Sequence, residues 1–193
     1  EEDDLHTKCQ VMSFEQIDSI FKYILDEQKK CREANAAMND RPVQIKLFGG
    51  EPLLKTNRQV IEKVLEMAKN NGMIVAIITN GTTIKDYYSL LNEYKDILQI
   101  QITVDGSKDI HDKRRIRADG KGTFDEINDN INLILKMGIV LQYRVNVDRD
   151  NIFKLDQLKK YVEEKGLLHA FVLQLPGPGV DVFVSGIHGQ SLA

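Results

Sequence analysis

The chain has 193 residues, 42% of them hydrophobic and 28% charged, enough apolar content for one core of ordinary size and a length typical of a single domain. Lys and Arg number 26 against 29 Asp and Glu, for a net charge of −3, so the charge balance gives no sign of a nucleic-acid or membrane partner. No apolar run approaches the roughly 20 residues that span a bilayer, the acidic start EEDDLHTKC is the opposite of a signal peptide, and Cys9 and Cys31 make no disulfide-rich framework; a soluble, cytoplasmic protein is expected.

Ser13-Phe14-Glu15-Gln16 has the spacing of a capping box, and Ile17, Ile20, Phe21, Ile24 and Leu25 follow at helical intervals, which predicts a first helix running to about Ala37. Pro42 then precedes an extended run from Val43 to Phe48. After Gly49-Gly50-Glu51-Pro52, the residues Val60, Ile61, Val64, Leu65 and Ala68 make one helical face that Gly72 stops. Residues 73–79, MIVAIIT, form a continuous apolar run, as in a strand covered on both faces. The alternation repeats with a helix in 83–95, a strand at 98–104, a helix from Thr123 to Met137 opened by a capping box and closed by Gly138, and a strand at 139–147. A last helix near 155–165 and an apolar run at 167–175 follow. This order indicates an α/β domain with a parallel sheet, since parallel neighbours need a crossover.

Within two strands the residues alternate. Gln99, Gln101, Thr103 and Asp105 oppose Leu98, Ile100, Ile102 and Val104, and Gln142, Arg144, Asn146 and Asp148 oppose Leu141, Tyr143, Val145 and Val147. A closed eight-stranded barrel and a doubly wound sheet leave no room for such polar rows, whereas a partly open barrel with a wet, ligand-filled lumen does; a solvated sheet face is the alternative. Ligands of parallel α/β folds gather beyond the carboxyl ends of the strands. Three consecutive ends carry glycine with a hydrogen-bonding side chain: Gly49-Gly50-Glu51-Pro52, Thr79-Asn80-Gly81, and Thr103 with Asp105-Gly106. Outward carbonyls at Gly49 and Gly50 would accept hydrogen bonds from an ammonium group, with the charge of Glu51 nearby.

LFGGEPLL, ITNGT, ITVDGSKDIHDKRRIRADGKGTFDEINDNI and YRVNVDRDN together resemble the radical S-adenosylmethionine (radical SAM) enzymes, from about residue 12 to about residue 165, and in particular the SPASM-type maturase branch that modifies peptides and proteins. The resemblance implies a partial, open (β/α)6 barrel in which a four-iron four-sulfur cluster binds S-adenosylmethionine and cleaves it reductively to a 5′-deoxyadenosyl radical. It also implies an electron donor and a peptide or protein substrate. Gly49, Gly50, Glu51 and Pro52 match the glycine-rich motif that holds the methionine amino group. Thr79 and Asn80 end the following strand. Thr103 and Asp105 stand where ribose hydroxyls or the carboxylate would be met; Thr103 replaces the more usual Ser. Arg144 either pairs with that carboxylate or makes a structural ion pair with Asp105 or Asp148. His111 is read as structural, in a loop fastened by hydrogen bonds and charge.

The family's CxxxCxxC motif, whose three thiolates hold the cluster, is not in the sequence, and Cys9 and Cys31 cannot replace it; His6 with Cys9 is an isolated pair. No metal ligand and no catalytic residue is assigned. The chain is expected to be a fragment, with the first barrel strand and cluster loop missing, residues 1–175 the barrel core and 176–193 a tail of unclear status. A cluster-less S-adenosylmethionine- or peptide-binding module is the alternative, although the intact set Gly49, Gly50, Asn80, Asp105 and Arg144 would then be less needed.

Overall fold

The computed structural model describes residues 11–35, 42–164, 171–174 and 181–184; His6, Cys9, the run 36–41 and the Pro-Gly-Pro-Gly break at 176–179 lie outside them. Helix α1 (Phe14–Ala34) opens on the predicted capping box, with the Ser13 hydroxyl accepting from the Gln16 N–H and the Gln16 side chain accepting from the Ser13 N–H. Ile17 and Phe21 bury its inner stripe. Then come β1 (Gln44–Leu47), α2 (Arg58–Asn70), β2 (Ile74–Thr79), α3 (Tyr88–Glu93), β3 (Leu98–Thr103), α4 (Lys108–Arg114), α5 (Phe124–Met137), β4 (Val140–Asn146), α6 (Leu155–Glu164), β5 (Phe171–Gln174) and β6 (Asp181–Val184).

The strands lie in chain order in one sheet, β1 to β5 parallel and β6 antiparallel to β5. Sequential parallel strands joined by right-handed crossovers put every crossover helix on one face. That face carries the apolar rows: Val75 and Ile77 of β2 align with Leu98 and Ile100 of β3, and Ile100 and Ile102 align with Leu141 and Tyr143 of β4, all buried. Burying a side chain of this size contributes about 1.5–3 kcal/mol, so these rows and the α2 and α5 stripes they meet hold the strands in register. The opposite face carries the predicted polar rows, Gln99 and Gln101 on β3 and Gln142 and Arg144 on β4, all half-buried. The architecture is α/β, a partial and open (β/α) barrel.

Several details depart from the sequence reading. The segment 83–95 is a 3-10 turn (Ile84–Tyr87), the short α3 and a second 3-10 turn (Lys95–Ile97), because Ile84 and Tyr87, both buried, are three apart and suit the tighter helix. The stretch read as a loop after β3 contains α4. Thr123 makes no side-chain cap bond to α5; the Phe124 N–H donates instead to Asp112 Oδ1 at 2.9 Å. Residues 181–184, placed in the tail by the sequence reading, form β6 on the sheet edge.

Candidate functional site

The site is built on the carboxyl ends of β1 to β4. Gly49 and Gly50 have φ of 94° and 46°, and a Cβ at either would meet nothing within 4 Å. Both glycines are therefore required by backbone conformation, not by crowding, and their backbone is open to a ligand. The turn they make is held from behind. Glu51 Oε1 accepts from the Leu53 N–H at 3.0 Å and the Thr79 hydroxyl at 2.6 Å, and Oε2 accepts from the Asn80 N–H at 2.8 Å. Asn57 Nδ2 donates to the Pro52 carbonyl at 3.0 Å, and Pro52 is buried. Glu51 thus staples the β1 loop to the end of β2, and its oxygens are spent on that tie rather than offered to a ligand. Thr79 aligns with Ile102 on the helix-facing row, is buried, and accepts from the Gly81 N–H at 3.0 Å while donating to Glu51; its hydroxyl shapes the turn. The Asn80 side chain accepts from the Thr82 N–H and hydroxyl.

Beyond β3 the chain enters a buried polar hub. The Asp105 side chain is 4% exposed; Oδ1 accepts from the Asn146 N–H at 3.1 Å and Oδ2 from Arg115 Nε at 2.8 Å, with Arg114 Nε at 3.5 Å. Arg114 Nη1 also reaches Asp148 Oδ2 at 2.6 Å, and that hydrogen bond holds the Asp148 carboxyl below the usual carboxylate range. Asp105 and Asp148 are thus both paired with the α4 arginines, and Arg144 is itself engaged. Arg144 itself aligns with Thr103 across β3 and β4, at the ligand end of the polar rows. Asp105, expected to face a ligand in the lumen, is closed off by these contacts because two guanidinium groups and a β4 amide converge on it.

His111 is fully buried. Its Nδ1 accepts from the Asp105 N–H at 3.2 Å, and Nε2 lies 3.0 Å from Thr123 Oγ1, which donates to the Arg115 carbonyl. An acceptor at Nδ1 and a spent hydroxyl proton at Thr123 assign the neutral Nε2–H tautomer. Burial first, and the Arg115 charge second, push its pKa down to about 4 from 6.5. The structural reading of His111 holds, and a pH dependence follows. The native state excludes a proton that the unfolded chain accepts, so this contribution is complete above pH 6.5 and is lost as pH falls toward 4, roughly 3 kcal/mol in all. Urea unfolding midpoints should fall steeply across that window in the wild type. They should fall less steeply in His111→Asn, which keeps an acceptor toward Asp105. Parallel curves would assign the acid sensitivity to carboxylates alone.

The same segment is packed against α5 without slack. A Cβ on Gly122 would stand 2.1 Å from Asp112 Cγ. Burial pushes the Asp112 carboxyl up, but the Phe124 N–H and the Lys108 ammonium outweigh it and hold the pKa low. Two residues of this region escaped the sequence reading. Asn151, buried, donates to the Asp105 and Asn146 carbonyls at 2.9 and 2.8 Å and accepts from the Asp148 N–H. Asn130, also buried, donates to the Gly81 carbonyl at 2.7 Å. Their signal was slight: an Asn five residues past the end of β4, and one polar residue in the apolar stripe of α5.

The open backbone at Gly49 and Gly50 leaves room for the amino group of an S-adenosylmethionine molecule, and Thr103 and Arg144 align at the same end of the sheet. An iron–sulfur cluster does not fit the described residues, where Cys31 on α1 is exposed and no group of three or more His, Cys, Asp or Glu side chains converges. No helix among them is long and apolar enough to cross a membrane.

Comparison with known proteins bears on the same residues. A cysteine-type anaerobic sulfatase-maturating enzyme of Clostridium novyi (strain NT) is 30% identical over 121 residues, 61% of this chain and 32% of that protein. The antilisterial bacteriocin subtilosin biosynthesis protein AlbA of Bacillus subtilis (strain 168) is 25% identical over 138 residues, 70% of this chain and 29% of that protein. The chain thus spans about a third of the length of these curated relatives. Among solved structures, native anSMEcpe with bound AdoMet and Cp18Cys peptide superposes with a TM-score of 0.69 at 24% identity, over 86% of this chain and 43% of that one. The His6-tagged anSMEcpe with bound AdoMet gives 0.59 at 26% identity, over 69% and 35%. The sequence model of the Radical SAM superfamily matches residues 6–149, most of the chain and every strand end of the site, and the chain belongs to that superfamily.

Proposed function

We propose that this chain is the S-adenosylmethionine-binding core of a radical enzyme that modifies a peptide or protein. The observation that carries the reading is the Gly49-Gly50 turn, with its backbone open and stapled from behind, set at the same end of the sheet as Thr103 and Arg144. Gly49, Gly50, Asn80, Thr103 and Arg144 contact the cofactor, while Glu51, Pro52, Thr79 and Asp105 position them. The bound AdoMet of the 26%-identical anSMEcpe supports the ligand, and the sulfatase-maturating and subtilosin relatives support a peptide or protein substrate. The family chemistry, reductive cleavage of S-adenosylmethionine, draws on a four-iron four-sulfur cluster and an electron donor. Two cysteines cannot supply three cluster thiolates, so the 193-residue chain alone binds without cleaving.

Arg144 provides the test. Arg144→Leu should weaken S-adenosylmethionine binding to this chain by about ten- to a hundredfold, the loss of a charge-assisted bidentate contact, while sparing its decarboxylated analogue. Equal loss for both ligands would make Arg144 structural. Absence of saturable S-adenosylmethionine binding in NMR titrations of the unmutated chain would overturn the reading.

A further inference from the structure

One carboxamide interrupts the inner stripe of α5. Its neighbours there, Ile127, Ile131, Ile134 and Met137, are all buried, and Asn130 is 3% exposed among them. A carboxamide loses free energy by such burial unless its hydrogen bonds are made. Both N–H groups of Asn130 serve one target: Nδ2 donates to the Gly81 carbonyl at 2.7 Å and to the Thr82 carbonyl at 3.1 Å. Two carbonyls on that side assign the nitrogen, not the oxygen, to face them.

These are successive carbonyls of the turn that follows β2, and the rest of that turn is also bonded. The Asn80 N–H goes to Glu51 Oε2, the Gly81 N–H to the Thr79 hydroxyl, and the Thr82 N–H and hydroxyl to Asn80 Oδ1, an Asx turn. Glu51 therefore holds the turn from the β1 side and Asn130 from the α5 side. Gly81, at φ 83°, packs directly on β3 and α5: a Cβ there would stand 3.0 Å from Ile102 Cγ2 and 3.4 Å from Ile127 Cγ2. One group of the turn is left over. With its oxygen locked by Thr82, the Asn80 carboxamide keeps an NH2 that no protein group among the described residues engages. Asn80 and Thr82 line a cavity of about 360 Å³ together with Thr123 and Ile127. Ile127 lies about one helical turn before Asn130, so the α5 face that anchors the turn is also a wall of the cavity. The contacts run in series: Asn130 holds Thr82 by its carbonyl, and Thr82 holds the oxygen of Asn80.

We infer that Asn130 is a positioning residue for Asn80: it fixes the Gly81 and Thr82 carbonyls, and through them aims the Asn80 NH2 at an acceptor oxygen of the bound ligand. The inference rests on the reading of Asn80 as a cofactor contact and names what sets its direction.

Asn130→Leu keeps the apolar stripe, removes the two donors, and has a readout that needs no ligand. The Thr82 amide proton, held by Asn80 Oδ1, should exchange about tenfold faster, while the amide protons of β2 and β3 keep their protection. Calorimetry should show S-adenosylmethionine binding weakened by about tenfold, the scale of one hydrogen bond. In an Asn80→Ala background, Asn130→Leu should weaken binding no further, because its effect passes through the carboxamide already removed. Equal losses in both backgrounds, unaltered affinity, or unaltered Thr82 exchange in a folded Asn130→Leu would each overturn the inference and leave Asn130 a core residue only. If Asn130→Leu does not fold, the wild-type chain decides. Saturating S-adenosylmethionine should slow exchange of the Thr82 amide and of the Asn130 side-chain NH2 together; Asn130 protons indifferent to the bound ligand overturn the coupling. Faster Thr82 exchange in Asn130→Leu, in a chain with no saturable S-adenosylmethionine binding, would uphold the positioning of Asn80 and remove the cofactor reading.

Discussion

Glu51→Ala should cost about 2–4 kcal/mol of stability and weaken S-adenosylmethionine binding by more than that stability loss alone explains. The carboxylate is the common acceptor for three donors, the Leu53 and Asn80 N–H groups and the Thr79 hydroxyl. Removing it leaves three partly buried donors without their partner, and each unsatisfied donor costs on the order of 1–3 kcal/mol where water cannot replace the lost contact. Neighbouring losses are not additive, which sets the lower total. Binding suffers separately, because the Gly49-Gly50 turn is open on its ligand side and the staple is what fixes its conformation. Glu51→Gln should be only slightly milder. A carboxamide has one acceptor oxygen, so its NH2 must face an N–H donor at Leu53 or Asn80. Thermal melts and calorimetry with S-adenosylmethionine would separate the two effects. An unchanged melting temperature in Glu51→Ala would show that the Asn57 contact to Pro52 holds the loop unaided.

That staple marks where the sequence was legible and where it was not. The glycine pair after an apolar run announced a turn at a strand end, and the period-two glutamines of β3 and β4 announced a polar sheet face, because both signals are local. The role of Glu51 depends on Thr79 and Asn80, 28 and 29 residues away, and no local pattern carries such a pairing. Thr123 illustrates the reverse error. Its spacing to Glu126 was that of a capping box, but its hydroxyl is taken by Arg115 and His111, so tertiary partners displaced the local motif. Helix α4, seven residues long, is too short to show a periodic face and so read as loop. The basic run inside it was legible as a charged fastening; that Arg114 and Arg115 converge on Asp105 was not.

Asp105→Asn should be the most destabilising of the conservative substitutions in this site, by about 3–5 kcal/mol, the range for leaving a buried charge uncompensated. Every polar atom of Asp105 is engaged: its carboxylate with Arg115, Arg114 and the Asn146 N–H, its N–H with His111 Nδ1, and its carbonyl with Asn151 Nδ2. The amide of Asn keeps an acceptor for Asn146, but it turns an NH2 toward Arg115 Nε, donor against donor. Against the 5–15 kcal/mol that stabilises an ordinary domain, that loss is large. Hydrogen exchange should quicken across α4 and the turn to α5 before it quickens in β2. The loss should also be shared. Arg115→Leu combined with Asp105→Leu should be less harmful than the sum of the two single changes, by about 2 kcal/mol, since removing both partners leaves fewer orphaned charges. Full additivity would show that Arg114, not Arg115, balances Asp105. Because Asp105 follows Thr103 by two residues and binds the N–H two residues past Arg144, a softened hub also frees the two side chains assigned to the cofactor. Weakened S-adenosylmethionine binding in Asp105→Asn would therefore report lost positioning rather than a lost ligand contact. A Thr103→Val variant, folded normally and still impaired in binding, would separate the two.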